Sequence, residues 1–277
     1  MTNKGEAAIG SYSKGEGIYL FCIARPPLPK LKDLAFNEQC PSSQQVFKDV
    51  VAVFCKVPLA DFCGPSAESK LQDPAWVAPR AYRHGEVVQE VLRHSPVLPV
   101  GFGTIFSSPQ RLEGLLEKHY ETITHFLDEV EDKEEWSVKG MLDRKKAKQV
   151  FVSKAVTKDV EDLSSLTPGI RYFQEKRAGA AAEEKLRHWL RETSQDIWND
   201  LNRYCSDFCE RKVFPLSAEK GNLDVVLNWA FLVTRGAEGD FRVQVDDVNA
   251  GYEKDGLTFQ LTGPWPPYSF CPRLEME

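Results

Sequence analysis

The sequence predicts an α+β protein of two domains, the C-terminal one a modified ferredoxin-like (split βαβ) unit with an enlarged helical crossover. Three observations carry that prediction. At 277 residues the chain is long for a single core. A strand pattern restarts at Trp136 after a helical stretch, with Trp136, Val138, Gly140 and Leu142 alternating with Ser137, Lys139 and Met141. From there the elements read strand, helices, strand, strand, helix, strand, which is the split βαβ order. The expected boundaries are a mobile arm over residues 1–16, an N-terminal domain over 17–133 and a C-terminal domain over 134–277.

Composition narrows the function classes. Hydrophobic residues make up 42% and charged residues 27%, the balance of a globular protein. No apolar run approaches the roughly 20 residues of a membrane span, and Met1 to Gly17 has no apolar core of a signal peptide. A cytosolic protein is expected. A net charge of −6 argues against general affinity for nucleic acid or acidic lipid. Seven scattered cysteines, an odd number, read as free thiols in a reducing compartment.

Ile18 to Ala24 is apolar on both sides, as a central strand requires. Arg25-Pro26-Pro27-Leu28-Pro29 ends it, and a polar, irregular segment runs to about Gln45. Val50 to Val57 is a second strand, closed by Pro58. A helix follows from about Pro74 to His94, with Val87, Val88, Val91 and Leu92 inward. In the stretch from Pro96 to Pro109, Leu98, Val100, Phe102, Thr104 and Phe106 share one face of a strand. Its prolines place it at an edge or at strand starts, and its glycines allow a bulge or a close approach. Ser108 then caps a helix with Pro109 in the first turn, and the helix runs to about Val130. An acidic, polar link spans Glu131 to Glu135.

Past the strand at Trp136, Arg144 to Lys158 is helical and a break covers Asp159 to Gly169. A long helix is expected from Ile170 to Arg211. Its seam is Leu186, Leu190, Ile197, Leu201, Tyr204 and Phe208, with same-face ion pairs from Glu183 to Arg187 and from Asp207 to Arg211. Strands are expected at Lys212 to Leu216 and Leu223 to Thr234. Asp240 to Ala250 is a helix with Phe241, Val245 and Val248 inward and Gly251 as its C-cap.

The last strand, with Leu257, Phe259 and Leu261 on one face, leads into Thr262-Gly263-Pro264-Trp265-Pro266-Pro267-Tyr268-Ser269-Phe270. Gly263-Pro264 is expected to stop the pairing, and the prolines to hold the tail extended. Two roles are open for its aromatics. They plug the core or the groove between domains, or they form a rigid edge offered to another protein. The candidate contact or packing residues are Phe102, Phe106, Trp265, Tyr268 and Phe270.

Residues 96–108 and 261–270 resemble hallmark stretches of the gas vesicle protein L/F family. Ile18-Tyr19-Leu20, Val57-Pro58-Leu59, Val226-Leu227-Asn228 and Phe231-Leu232-Val233 match the same family more weakly and in the same order. The resemblance spans about Gly17 to Phe270; the arm and the segment from Pro26 to Gln45 lie outside it. It implies a minor component needed to build gas vesicles, the hollow protein shells that give buoyancy. Its implied partners are the small, very hydrophobic major shell protein and other vesicle accessory proteins, and its implied location is the gas vesicle and the cytoplasm.

Signatures of catalysis and cofactor binding are lacking in the sequence. Gly101-Phe102-Gly103 lacks the third glycine and acidic partner of a dinucleotide loop. Cys205 and Cys209, expected four apart on one helix face with His188 turns away, fall short of a metal set and read as core filler. His84 and His94 bracket a helix as surface residues, and the remaining histidines are dispersed. The run Asp128 to Glu135 is not a calcium loop. Arg144, Lys145, Lys146 and Lys148 form a helix surface, or a contact for an acidic partner. The expectation is therefore a non-enzymatic protein with no cofactor and no metal. The alternative is a small-ligand-binding regulatory module, by analogy with other ferredoxin-like domains; an enzyme would need polar groups converging in a pocket.

Overall fold

The computed structural model describes residues 15–29, 40–150, 168–213 and 223–275. The chain forms two compact units, one of residues 1–134 with 265–277, the other of residues 135–264. The tail after β9, expected with the second domain, thus groups with the first unit. Most of the 1–16 arm lies outside the described residues, as do 30–39 of the loop after Pro26.

The first unit is built on β1 (Glu16–Ala24), buried from Gly17 onward on both faces. That matches its unbroken apolar run, since a strand covered on both sides loses the polar alternation of a half-exposed one. β2 (Ser43–Phe47) and β3 (Val50–Pro58) form a hairpin. Two helices follow, α1 (Pro65–Gln72) and α2 (Pro74–Leu92), then two short strands, β4 (Val97–Pro99) and β5 (Ile105–Phe106). The helices α3 (Pro109–Lys118) and α4 (Tyr120–Glu129) complete the unit. The sheet order is β2-β3-β1-β4, with β5 also on β1.

β3, β4 and β5 all run antiparallel to β1. Tyr19 and Phe21 of β1 pack in one cluster with Val87, Val88 and Val91 of α2.

Three elements differ from expectation here. β2 overlaps the end of the stretch read as irregular, and α1 stands where no element is expected: β2 is polar and half-exposed because it is an edge strand held by pairing to β3, so it carries little hydrophobic signal. Its turn places Lys48 at φ 53. The helix expected from Ser108 to Val130 breaks at His119, with φ −108 and ψ 15. Its apolar face survives the break, since Leu112, Leu116, Ile123 and Leu127 are all fully buried. The Ser108 cap is present, its Oγ accepting from Arg111 N at 3.3 Å.

The second unit contains β6 (Lys133–Asp143), α5 (residues 144–150), α6 (Pro168–Leu201) and β7 (Asp207–Glu210), then β8 (Leu223–Thr234), α7 (Glu238–Tyr252) and β9 (Leu257–Trp265). Its sheet order is β7-β8-β6-β9. The acidic link expected at Glu131 to Glu135 is already the start of β6. The expected continuation of the helix after Arg144, beyond residue 150, and the break to residue 167 lie outside the described residues.

The long helix ends at Leu201, not Arg211, and so spans about 50 Å. Residues 202–204 tighten into a 3₁₀ turn and Cys205 is extended, at φ −120 and ψ 156. β7 then pairs with β8, placing Phe208 opposite Phe231. The spacing that put Tyr204 and Phe208 on the helical seam is overridden by this pairing and by ring packing. Phe208 lies 5.2 Å from Phe231, 5.7 Å from Trp229 and 6.1 Å from Trp198.

Cys205 and Cys209 therefore do not share a helix face. Lys212 and Val213 belong to no strand, and 214–216 lie outside the described residues. The expected ion pairs give way to others: Glu183 meets Arg144 and Lys148, and Arg211 meets Glu135.

α7 buries Phe241, Val245 and Val248 as expected but runs through Gly251, and the left-handed glycine that ends the following turn is Gly256. Asn249 of α7 reads β9 like a neighbouring strand, donating to Phe259 O at 2.8 Å and accepting from Phe259 N at 2.6 Å. That closes part of an edge that would otherwise invite pairing.

The strand does not stop at Gly263; it continues to Trp265. Gly263 has φ +147, and a Cβ there would sit 2.8 Å from Trp136 Cε3 and 3.0 Å from Glu135 O. Only glycine fits this approach. Gly263→Ala is accordingly expected to destabilise the protein by about 1–3 kcal/mol, read as a lower urea midpoint. An unchanged midpoint would refute the close-approach argument.

Candidate partner-contact surface

Five aromatics were singled out by the sequence, and the structure sorts them. Phe106 pairs with Ile18 across β5 and β1 and is buried at 6% exposure. Its outer side lines a cleft of about 150 Å3 with Gln110, Arg111, Gly114, Leu115, Lys118 and Glu275. Phe102 is half-buried and packs on the first unit's core. Phe270 is half-buried as well. Trp265 and Tyr268 are the exposed pair, at 47% and 41%.

The tail is not extended. Tyr268 N donates to Pro266 O at 2.7 Å and Phe270 N to Pro267 O at 3.2 Å, so residues 266–270 make a tight turn. Pro266 and Pro267 are the buried residues of this turn, while Trp265 and Tyr268 are exposed and Phe270 is half-buried. A fixed φ and a missing amide hydrogen make proline cheap to bury, whereas Trp and Tyr each bring a polar group needing a partner. Cys271 staples the turn, its thiol donating toward Pro267 O at 3.3 Å and Pro99 O at 3.5 Å. The two stretches that carry the sequence resemblance, 96–108 and 261–270, are thereby joined.

The segment between β4 and β5 is a turn. Thr104 N and Oγ1 donate to Gly101 O at 3.2 and 2.7 Å, and Gly103 takes φ +86, which favours glycine.

Two side chains missed by sequence reasoning hold the turn from beneath. His84 Nε2 donates to Val100 O at 3.1 Å, which leaves Nδ1 to accept from the Tyr19 hydroxyl at 2.9 Å. That hydroxyl accepts from Gly103 N at 3.3 Å. Both ends of the turn are thus tied to one buried Tyr–His pair. The rings of Tyr19 and His84 stand 6.0 and 6.1 Å from that of Phe102. Tyr268 joins the same neighbourhood, adding electrostatically to the upward push on the Tyr19 hydroxyl, which comes first from burial.

His84 was legible as a core residue. It stands at i with Val87, Val88 and Val91 at i+3, i+4 and i+7, and it is 3% exposed rather than on the surface. Burial lowers its pKa to about 4, so it is neutral near pH 7. With both ring nitrogens engaged it acts as a clamp, not as a base. Among the described residues no group of three or more His, Cys, Asp or Glu could hold a metal ion. Cys205 bonds toward Asn202 and Cys209 toward the Glu210 carbonyl. No helix is long and apolar enough to cross a membrane among the described residues.

The clamp makes a pH prediction. An unfolded His84 titrates near 6.5 and the folded one near 4, so between those values only the unfolded chain takes up the proton. Stability falls as the pH drops through that window, by about 3 kcal/mol from this group. Urea unfolding at pH 7 and pH 4 should show the loss in the parent and a smaller one in His84→Gln. Equal losses would remove His84 from the explanation.

The sequence pattern described as "Gas vesicle synthesis protein GvpL/GvpF" matches residues 17–272. Gas vesicle protein L of Streptomyces sp. (strain CB03234) is 28% identical over 245 residues, covering 80% of each chain. Gas vesicle protein F1 of Halobacterium salinarum is 28% identical over 192 residues, 68% of this chain and 66% of that one. In architecture the chain is similar to the crystal structure of the gas vesicle protein GvpF from Anabaena sp. PCC7120, with a TM-score of 0.69 at 16% identity over 95% of this chain and 98% of that one. GvpF from Microcystis aeruginosa gives a TM-score of 0.65 at 16% identity, covering 93% and 99%. With the family pattern running through nearly the whole chain, both hallmark stretches included, the chain belongs to the GvpL/GvpF family of gas vesicle synthesis proteins.

Proposed function

We propose that the chain is a non-enzymatic gas vesicle protein, a minor structural or assembly component of the vesicle and cytoplasm that binds the hydrophobic major shell protein during vesicle formation. Other vesicle accessory proteins are further partners in this reading; nucleic acid and membrane are not. The supporting observation is the presented pair Trp265 and Tyr268, exposed on a turn whose prolines are buried and whose thiol is bonded to Pro99 O. A preformed turn loses little entropy when a partner docks, and Trp and Tyr carry much of the energy at such contacts. A very hydrophobic shell protein aggregates when free, and covering its apolar surface would hold it soluble until it is incorporated.

In this reading Trp265 and Tyr268 make the contact, Phe102 backs it, and Phe106 and Phe270 serve packing. The two units are the chain's two domains. The second is ferredoxin-like, a proposal supported by its β7-β8-β6-β9 order and by α6 as the enlarged crossover. The ligand-binding alternative finds no support in the cleft beside Phe106, which at about 150 Å3 is smaller than the roughly 300–1,000 Å3 typical of ligand sites.

The test uses Trp265→Ala and Tyr268→Ala, each assayed for melting and for capture of separately expressed shell protein. Capture is expected to fall about tenfold or more, with stability changed by less than about 1 kcal/mol. Normal melting with undiminished capture in both variants would overturn the assignment of this surface.

A further inference from the structure

We propose that Cys40 and Cys55 form a reversible disulfide, with a low-molecular-weight disulfide such as oxidised glutathione as the oxidant. Cys55 lies on β3 directly opposite Tyr19 of β1, and Cys40 stands three residues before β2. Both are free thiols of the same core cluster, and they share a hydrogen bond, which puts the two sulfurs in contact. Cys22 belongs to that cluster too, but its thiol is pushed up by burial alone, with no thiol partner among the causes.

The geometry also orders the chemistry. Cys40 is 6% exposed and Cys55 fully buried, so the oxidant meets Cys40 first. The Cys40 thiolate attacks one sulfur of glutathione disulfide, forming a mixed disulfide and releasing one glutathione thiolate. Cys55 then attacks the Cys40 sulfur, and its proton passes to the glutathione thiolate that leaves, releasing the second glutathione. The protein gives up two electrons and two protons, and one glutathione disulfide becomes two glutathiones. The shared hydrogen bond and burial hold the Cys55 thiol protonated, which suits a resolving thiol and makes closure slow.

The bridge would close the chain from residue 40 to residue 55 around β2 and its turn, lowering the entropy of the unfolded state. It would also tie β3, the neighbour of β1, to the segment that leads into β2.

The experiment treats the full-length protein with oxidised glutathione, blocks remaining thiols with N-ethylmaleimide and maps the peptides by mass spectrometry. A linked Cys40–Cys55 peptide is expected. It should be absent from Cys40→Ser and Cys55→Ser, present in Cys63→Ser, and lost on adding dithiothreitol. Melting of the reduced variants establishes that each folds, and the oxidised parent should melt above its reduced form. Glutathione retained on Cys40, unmodified Cys40 and Cys55 while the exposed Cys63 reacts, or linkage to any other cysteine would each overturn the proposal.

Discussion

Burial of β1 on both faces is the constraint that the first unit depends on. A strand with no exposed face must satisfy every polar atom inside the protein, and Tyr19 places a hydroxyl there. Leaving it unpaired would cost about 1–3 kcal/mol. His84 Nδ1 accepts its hydrogen bond, Gly103 N donates to its oxygen, and the other His84 nitrogen donates to Val100 O. A requirement of the core thus becomes the geometry of a surface turn. The Phe102 turn is rigid because the core beneath it needs those backbone groups.

The tail follows the same logic with the chemistry reversed. Its prolines carry no amide hydrogen to satisfy, so they are buried at little cost, while Trp265 and Tyr268 keep much of their surface in solvent. The thiol of Cys271 bonds to carbonyls on both sides of the contact. Pairing in β9 runs on to Trp265 because Gly263 lets the backbone lie against Trp136.

In the second unit, charge does the positioning. Arg144 meets Glu183 of α6 and Asp224 of β8, and Lys148 also meets Glu183, whose acid range is lowered first by that lysine. Lys146 donates to Glu253 O. Half-exposed pairs of this kind contribute less than about 1 kcal/mol each. Their effect is to orient α5 against the crossover helix and the sheet. The basic cluster is thus largely occupied within the chain, which weakens the reading of it as a contact for an acidic partner. Arg211 differs, since it reaches Glu135, which is 2% exposed, and also donates to Ser137 at 3.2 Å. A buried carboxylate of that kind depends on its partner.

Strong periodicity and local turn chemistry were readable in the chain itself. The central strand Ile18 to Ala24, the Ser108–Pro109 helix start, the inner faces of α2 and α7, and the restart of the strand pattern at Trp136 all follow from interactions within a few residues. The hallmark stretches were legible in the same way, because their Pro, Gly and aromatic residues break ordinary patterns. Tertiary structure decided what local spacing cannot. Partner strands made β2 and β7 out of segments with weak or helical signals, and the close approach to Trp136 carried β9 through Gly263. The pairing of Tyr19 with His84 joined residues 65 positions apart. Whether proline or tryptophan is buried in the tail also lay beyond the sequence. That choice turns on which neighbours satisfy each polar group, and those neighbours meet only when the chain is folded.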